Sequence, residues 1–308
     1  MWTRARFVDE YVPGLFAVAI DTYTKNRAES MWDKLCTVKT SQKKKEENSE
    51  RSGLDTPAEK PEGSPITYDT QLSGGKQAWV HTVYALGVRI TEEAVDDNLY
   101  ELKGGSEGDL KEIFHDLGLA MSNNVEVLMA RFLNSGTATT YHTERNGSTA
   151  LFSDSHALLD GTAFDNKSVN ADLTYSAFWT VLVAAENQYN HRGYRVKKKV
   201  EKLWFPPQLE RKALEILKST DTPDTANRSV SAYSKSGRSI QPMNWNQLTD
   251  TDAWYMQLEG DGIIFFWRRK TRFAREGDFQ TGDIMVKSDQ RFSAEINDYR
   301  CFYGNVPA

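Results

Sequence analysis

The chain has 308 residues, a formal net charge of -5 and 39% hydrophobic residues. That is ample for a buried core in one large or two ordinary domains, and too acidic for a general affinity for nucleic acid. Cys36 and Cys301 are the only cysteines, which excludes a disulfide framework or a zinc knuckle and fits a reducing cytoplasm. No apolar run approaches the roughly 20 residues of a membrane helix. Asp9, Glu10 and Pro13 interrupt the run that follows the first arginines, so it does not read as a signal peptide.

In chain order, helical spacing is predicted first around Ala28 to Leu35. Residues 41–65 then hold Leu54 and Ala58 as their only hydrophobic residues, with five basic against six acidic side chains. Such a segment cannot bury enough surface to fold alone, and it is long for an ordinary loop. It reads as a solvated linker or, more sharply, as an extended arm that orders on a partner. Ala78, Val80, Thr82, Tyr84, Leu86, Val88 and Ile90 alternate with a period of two and predict one long strand. A projecting two-stranded loop is therefore expected.

Thr91 suits the N-cap of a short helix, TEEAVDDNLYE, broken at Gly104-Gly105. A longer helix is predicted from Ser106 to about Asn134, with Leu110, Ile113, Phe114, Leu117, Met121, Val125, Leu128 and Phe132 at helical spacing and Gly136 as terminator. At 1.5 Å per residue it is roughly 40 Å long. Residues 137–170 are turn-rich, with Asn146-Gly147 as a hairpin tip.

A second helix is predicted from about Thr174 to His191, with Phe178, Val181, Leu182, Ala185 and Tyr189 on one face and Gly193 as C-cap. VEKLWF (200–205) reads as a strand, and Pro206-Pro207 opens a third helix, LERKALEILKS. Residues 219–250 read as loop. AWYMQLEGDGIIFFWRRK reads as a hairpin turning at Gly260-Asp261-Gly262, and the C-terminus ends in strands. There is no internal repeat, and the class is α+β.

The stretch LFSDSHALLDG (151–161) packs Ser153, Asp154, Ser155, His156 and Asp160, the residue types of a hydrolytic triad, into eleven positions. A serine hydrolase using Ser155 and His156 is the rival reading. Triads draw their members from separated parts of a chain, however, and no G-x-S-x-G elbow occurs. Ser153, Asp154 and Ser155 are better read as turn and capping residues. His81, His115, His142, His156 and His191 show no zinc-helix spacing, and His115-Asp116 diverge on a helix. No phosphate loop is present; GGK at 74–76 is too short. No catalytic, cofactor-binding or metal residues are therefore assigned. Two basic clusters remain, six residues in Arg192–Lys202 and five in Arg268–Arg275. They read as solvated or salt-bridged strand faces in preference to a phosphate-contacting patch.

The long helix, polar arm and extended N-terminus point to an assembly. YALGVRITEEAVDDNLYE resembles the segment before the spine helix of tailed-phage major capsid proteins, and DLGLAMSNNVEVLMARFLNSG resembles that helix itself. ALFSDSHALLDG, NADLTYSAFWTVLVAAENQ, the run from His191 to Asn227, LTDTDAWYMQ and the closing DFQTGDIMVKSDQRFSAEINDYRCFYG follow in the order of the Mu-like major head subunits. The resemblance covers about residue 80 to the C-terminus.

It implies the Hong Kong 97-type capsid fold: an N-terminal arm (1–35), an E-loop (36–80), a peripheral domain with the spine helix (81–137), an axial domain (138–262) and C-terminal strands returning to the peripheral domain (263–308). It further implies self-assembly into hexamers and pentamers that close an icosahedral virion shell around double-stranded DNA, in the bacterial host cytoplasm. The implied partners are copies of the chain, portal, scaffold and decoration proteins, and DNA by non-specific proximity, with no membrane. Another phage structural component, of tail or minor head, is a further alternative. Lys60 and Lys76 stand where some relatives cross-link a lysine to an asparagine, but no motif identifies a partner. The start at Met1 without a long helical prefix predicts no cleaved leading segment.

Overall fold

Leu15, Ala19 and Tyr23 are spaced four apart, which lines one stripe of a helix with apolar surface. That helix is α1 (Val12–Glu29), with Leu15 and Ala19 buried. The computed structural model describes residues 12–91, 93, 108–143, 149–167, 171–219, 232–278 and 281–306. The helix expected over 91–101, apart from Thr91 and Glu93, lies outside the described residues, as do Gly104-Gly105 and Asn146-Gly147. The helix expected from Ala28 to Leu35 is corrected. Ser30, whose hydroxyl donates to the Arg27 carbonyl at 2.6 Å, separates α1 from a single turn, α2 (Trp32–Leu35).

β1 (Thr37–Thr40) follows, then a ribbon of β2 (Lys45–Arg51) and β3 (Ser73–Val80), paired antiparallel from Lys45 opposite Val80 to Arg51 opposite Ser73. The projecting two-stranded loop is thus present, with residues 52–72 as its outer part. The single long strand is not. β3 ends at Val80, His81 intervenes, and β4 (Thr82–Ile90) enters a different sheet. Trp79 decides the facing of β3. Its indole is 1% exposed and donates to the Ile264 carbonyl at 3.0 Å, so the odd positions face inward and Ala78 and Val80 face solvent. One large aromatic outweighs the smaller residues of the even run.

α3 (Gly108–Asn134) is the long helix, and Phe114, Leu117, Met121, Val125 and Phe132 are buried as its spacing requires. It packs against α1 at Gly118, where a Cβ would come within 2.5 Å of the Ala19 carbonyl. Gly136 follows the helix but is not in the left-handed region. Its lack of a side chain instead makes room for the Phe152 ring.

A small hairpin, β5 (His156–Ala157) with β6 (Ala163–Phe164), leads to α4 (Tyr175–Glu186), whose cap Thr174 accepts from the Ala177 amide at 3.2 Å. α4 stops at Glu186 and not near His191. The Asn190 side chain accepts from the amides of Arg192 and Tyr194, both at 2.9 Å, and bends the chain into a turn with Gly193 at φ +75°.

β7 (Val200–Phe205) and, after a 3-10 turn, α5 (Glu210–Lys218) stand where the sequence places them. Within the stretch read as loop lie α6 (Ala232–Lys235) and β8 (Gln241–Asn244). The remaining strands are β9 (Trp254–Leu258), β10 (Ile263–Gly277), β11 (Ile284–Ile296) and β12 (Phe302–Asn305).

β9 and β10 do not form the expected hairpin. One sheet has the order β1-β10-β11-β4 and the other β12-β9-β7-β8, and the chain crosses between them at Gly260-Asp261-Gly262. The crossing is held from outside the turn. Asp261 accepts from Thr37 at 2.6 Å and Lys39 at 3.2 Å, and the Gly262 carbonyl accepts from the Asn297 amide at 2.7 Å. A Cβ on Gly262 would lie 2.5 Å from the Phe302 ring. β12 pairs with β9 and so closes the second sheet.

One core, built from Trp32, α3, Trp204, Trp245, Phe265, Trp267 and Phe292, joins the two sheets. A second lies between α4, α5 and the β7–β9 face.

Candidate functional site

The triad-like stretch was the first candidate for chemistry. Ser155 and His156 are chain neighbours at the edge of a strand, so their side chains point to opposite faces. Ser155 is exposed, whereas His156 is fully buried. The His156 ring stacks on Tyr299 at 3.9 Å between centroids, and its Nε2 lies 2.9 Å from Asn166 Oδ1. Asn166 is the hub of this region. Its amide donates to the carbonyls of Leu151 (2.7 Å), Tyr299 (3.2 Å) and Phe302 (3.2 Å), and its Oδ1 accepts from the Ser153 amide (2.9 Å).

Ser153 accepts from the Ser155 amide at 3.2 Å, and Asp160 accepts from the Thr162 amide and hydroxyl at 2.9 and 2.6 Å. Two of these residues therefore shape turns, and Asn166 ties the hairpin to the C-terminal 3-10 turn. The hydrolase geometry is absent: Ser155 and His156 do not converge.

The histidines are dispersed. His81 Nδ1 lies 2.9 Å from Ser293 Oγ, and burial followed by the Arg291 charge lowers its pKa. His142 stacks on Phe132 at 3.6 Å, and His191 Nε2 lies 2.6 Å from Glu50. His115 does approach Asp116, at 3.4 Å on an exposed surface. Among the described residues no group of His, Cys, Asp or Glu is arranged to hold a metal ion.

The basic clusters find carboxylates in their own chain. Arg269 and Arg272 both bind Asp289, the latter at 2.6 Å, on a carboxylate 7% exposed. Lys198 reaches Asp298 at 2.8 Å, where Arg300 also binds at 2.8 Å. Burial opposes the charge on Asp298, but the Arg300 guanidinium and the Lys198 ammonium more than offset it and hold the carboxyl well below the usual range. Lys202 donates to the Lys34 carbonyl, and Arg192 donates to the Thr70 carbonyl at 2.7 Å and to Asp69 at 3.2 Å. Lys197, Lys199, Arg268 and Lys270 remain exposed. Asp69, Asp289 and Asp298 were not singled out in the sequence. Each lies far along the chain from at least one cation it serves, and no local pattern marks it.

Exposed apolar side chains mark the surface that remains. The loop between β2 and β3 exposes Leu54 at 63%, Ile66 at 57% and Tyr68 at 86%. Lys60 is exposed within it, and Lys76 is exposed on β3. β4, at one edge of its sheet, exposes Val83 and Leu86.

Comparison with known proteins gives this arrangement its class. The structure is similar to the capsid of the cyanophage P-SCSP1u, with 11% identity, a TM-score of 0.58, and coverage of 91% of this chain and 88% of that one. It is similar to the capsid of Myoviridae phage XM1, with 8% identity, a TM-score of 0.55, and coverage of 88% and 90%. It is also similar to the virus-like particle from Pyrococcus furiosus, with 11% identity, a TM-score of 0.51, and coverage of 96% and 99%. At these identities the likeness establishes the fold, an α+β capsid fold of the Hong Kong 97 type. No curated protein matches the sequence. The family described as "Phage capsid protein" matches residues 77–305, and the chain belongs to that family of structural phage proteins.

Proposed function

We propose that this chain is the major head subunit of a Mu-like tailed phage or prophage, assembling as hexamers and pentamers into an icosahedral shell around double-stranded DNA. The observation that carries the reading is the family match across residues 77–305, nearly everything from β3 to the last strand. The ribbon and its exposed Leu54, Ile66 and Tyr68 support it, because apolar surface on a projecting loop is stabilised only by a partner.

In this reading residues 1–35 are the N-terminal arm and 36–80 the E-loop, laid over a neighbouring subunit. α3 is the spine of a peripheral domain (81–137) completed by strands from 263–308, and 138–262 form the axial domain. β12 belongs with the axial sheet, because it pairs with β9. The Mu-like assignment rests on the ordered sequence segments. Portal, scaffold and decoration proteins are the further partners it implies.

Expression of the full chain, with scaffold where needed, followed by negative-stain microscopy tests the proposal. Shells, rings or capsomers are expected. A monomer that stays dispersed and hydrolyses model esters, losing activity on Ser155→Ala, would contradict it.

A further inference from the structure

The outer part of the ribbon does not leave the subunit freely. It meets the turn of residues 189–195, which follows α4, along one line of polar contacts. His191 Nε2 lies 2.6 Å from the Glu50 carboxylate, and both side chains are largely buried, at 2% and 13% exposure. Arg192 reaches across to the far side of the loop, to the Thr70 carbonyl at 2.7 Å and Asp69 at 3.2 Å. The Tyr194 hydroxyl donates to Asp55 and lies 3.1 Å from the Thr56 hydroxyl. Asp69 in turn accepts from the Asp55 amide at 2.8 Å, so the two limbs of the loop are tied to each other as well as to the turn.

The turn is braced by its own hydrogen bonds. Asn190 accepts two amides within it, its own amide donates to the Tyr194 carbonyl at 2.8 Å, and Gly193 supplies the left-handed residue that closes it. The Tyr194 hydroxyl and then the Thr56 amide hold Asp55 below the ordinary carboxylate range, as expected for a carboxylate engaged while charged.

From this geometry we propose that His191, Arg192 and Tyr194 form a clasp that sets the direction of residues 52–72 in the free subunit, so that the arm is aimed before a second copy arrives. The functional consequence rests on the reading of this ribbon as an inter-subunit arm; the clasp itself rests only on the contacts above. Two physical features favour a device over incidental contact. The attachment uses both limbs of the loop, which restricts rotation as well as distance. It also shields Arg192, whose side chain is 16% exposed where it meets Asp69 and the Thr70 carbonyl, so these contacts compete less with water than open surface pairs do. A pre-aimed arm loses less conformational entropy when it docks.

Hydrogen–deuterium exchange on the full-length unassembled subunit tests this. Arg192→Ala combined with Tyr194→Phe is expected to speed exchange of residues 52–72 by about tenfold, with β9 and β10 unchanged as the internal control of folding. The swap of Asp69→Arg with Arg192→Asp is expected to restore protection to the 69–70 limb. Tyr194→Phe alone removes one hydroxyl and serves if the double variant does not fold. Its expected effect is faster exchange around Asp55 and Thr56. Unchanged exchange of 52–72 in a folded variant overturns the clasp. Deletion of 52–72 separates the two ideas. If the deletion closes normal shells while Arg192→Ala still loosens the arm, the clasp stands and the arm's assembly role fails. If the deletion blocks shells while the clasp variants leave exchange unchanged, the reverse holds.

Discussion

Asp298, largely buried, and Glu126, buried, are two carboxylates with opposite physics. Asp298 lies between Lys198 and Arg300 and also accepts from the Arg300 amide at 3.1 Å. Its folded pKa lies well below the ordinary aspartate value of 3.8. Its contribution to stability is therefore complete above that value and is lost as pH falls through the window beneath it. Glu126 accepts from the Met31 amide at 2.6 Å and the Trp245 indole at 2.9 Å, yet burial raises its pKa above 4.5, and the Asp33 charge adds to the rise. Its contribution is complete below 4.5 and is lost as pH rises through the raised value. In urea titrations, Asp298→Asn is expected to cost about 2–4 kcal/mol by leaving two partly buried cations without their shared counter-charge, and to flatten the acid limb of the stability profile. Glu126→Ala is expected to cost about 2–4 kcal/mol by orphaning two donors. An Asp298→Asn profile with an unchanged acid limb would refute the first assignment.

The cysteines belong to the same scale. Burial pushes the Cys301 thiol up to about 12 and raises Cys36 further. Both are expected to resist a thiol reagent at neutral pH until the subunit unfolds, as thiolates are the reactive form. Rapid labelling of two thiols in the folded protein would contradict this.

Among elements, the pairing of α1 with α3 depends on one absent methyl. Gly118→Ala would gain up to about 1 kcal/mol of helix propensity, but the new Cβ meets the Ala19 carbonyl, which is backbone and cannot swing aside. Overpacking wins, and a net loss of about 1–3 kcal/mol is expected in thermal unfolding. A stabilised variant would show that the helices have room to part.

The elements legible in sequence were those whose cause is local. α3 could be read because one apolar stripe persists over its length, and β7 because a short apolar run ends at two prolines. The crossing at Gly260-Asp261-Gly262 could not. Gly-Asp-Gly signals a reversal, while the choice of sheet is made by Thr37, Lys39 and Asn297 from remote segments. The inward facing of Trp79, and with it the break between β3 and β4 at His81, was hidden for a related reason, since counting alternation gives Trp79 no more weight than Ala78. The clasp was the least visible, because its acids lie on one loop and its cation more than 120 positions away.

At the scale of the whole molecule, the two sheets share one aromatic core, so the two layers are expected to unfold together and not as separate domains. β3 is anchored through Trp79, but the outer loop of the ribbon, residues 52–72, contributes no side chain to that core. Removing residues 52–72 is expected to leave the subunit folded, with a urea midpoint near that of the parent, while impairing shell closure. Loss of the folded subunit on that deletion would mean that the ribbon belongs to the core and is not an arm.

The central claim, that this α+β subunit builds a closed shell from copies of itself, is tested most directly by electron microscopy of the purified full chain, expressed with a scaffold where one is needed. The account predicts closed shells with five-fold vertices, or free pentamers and hexamers. Monodisperse monomers under every assembly condition, with the subunit folded by hydrogen exchange, would contradict it.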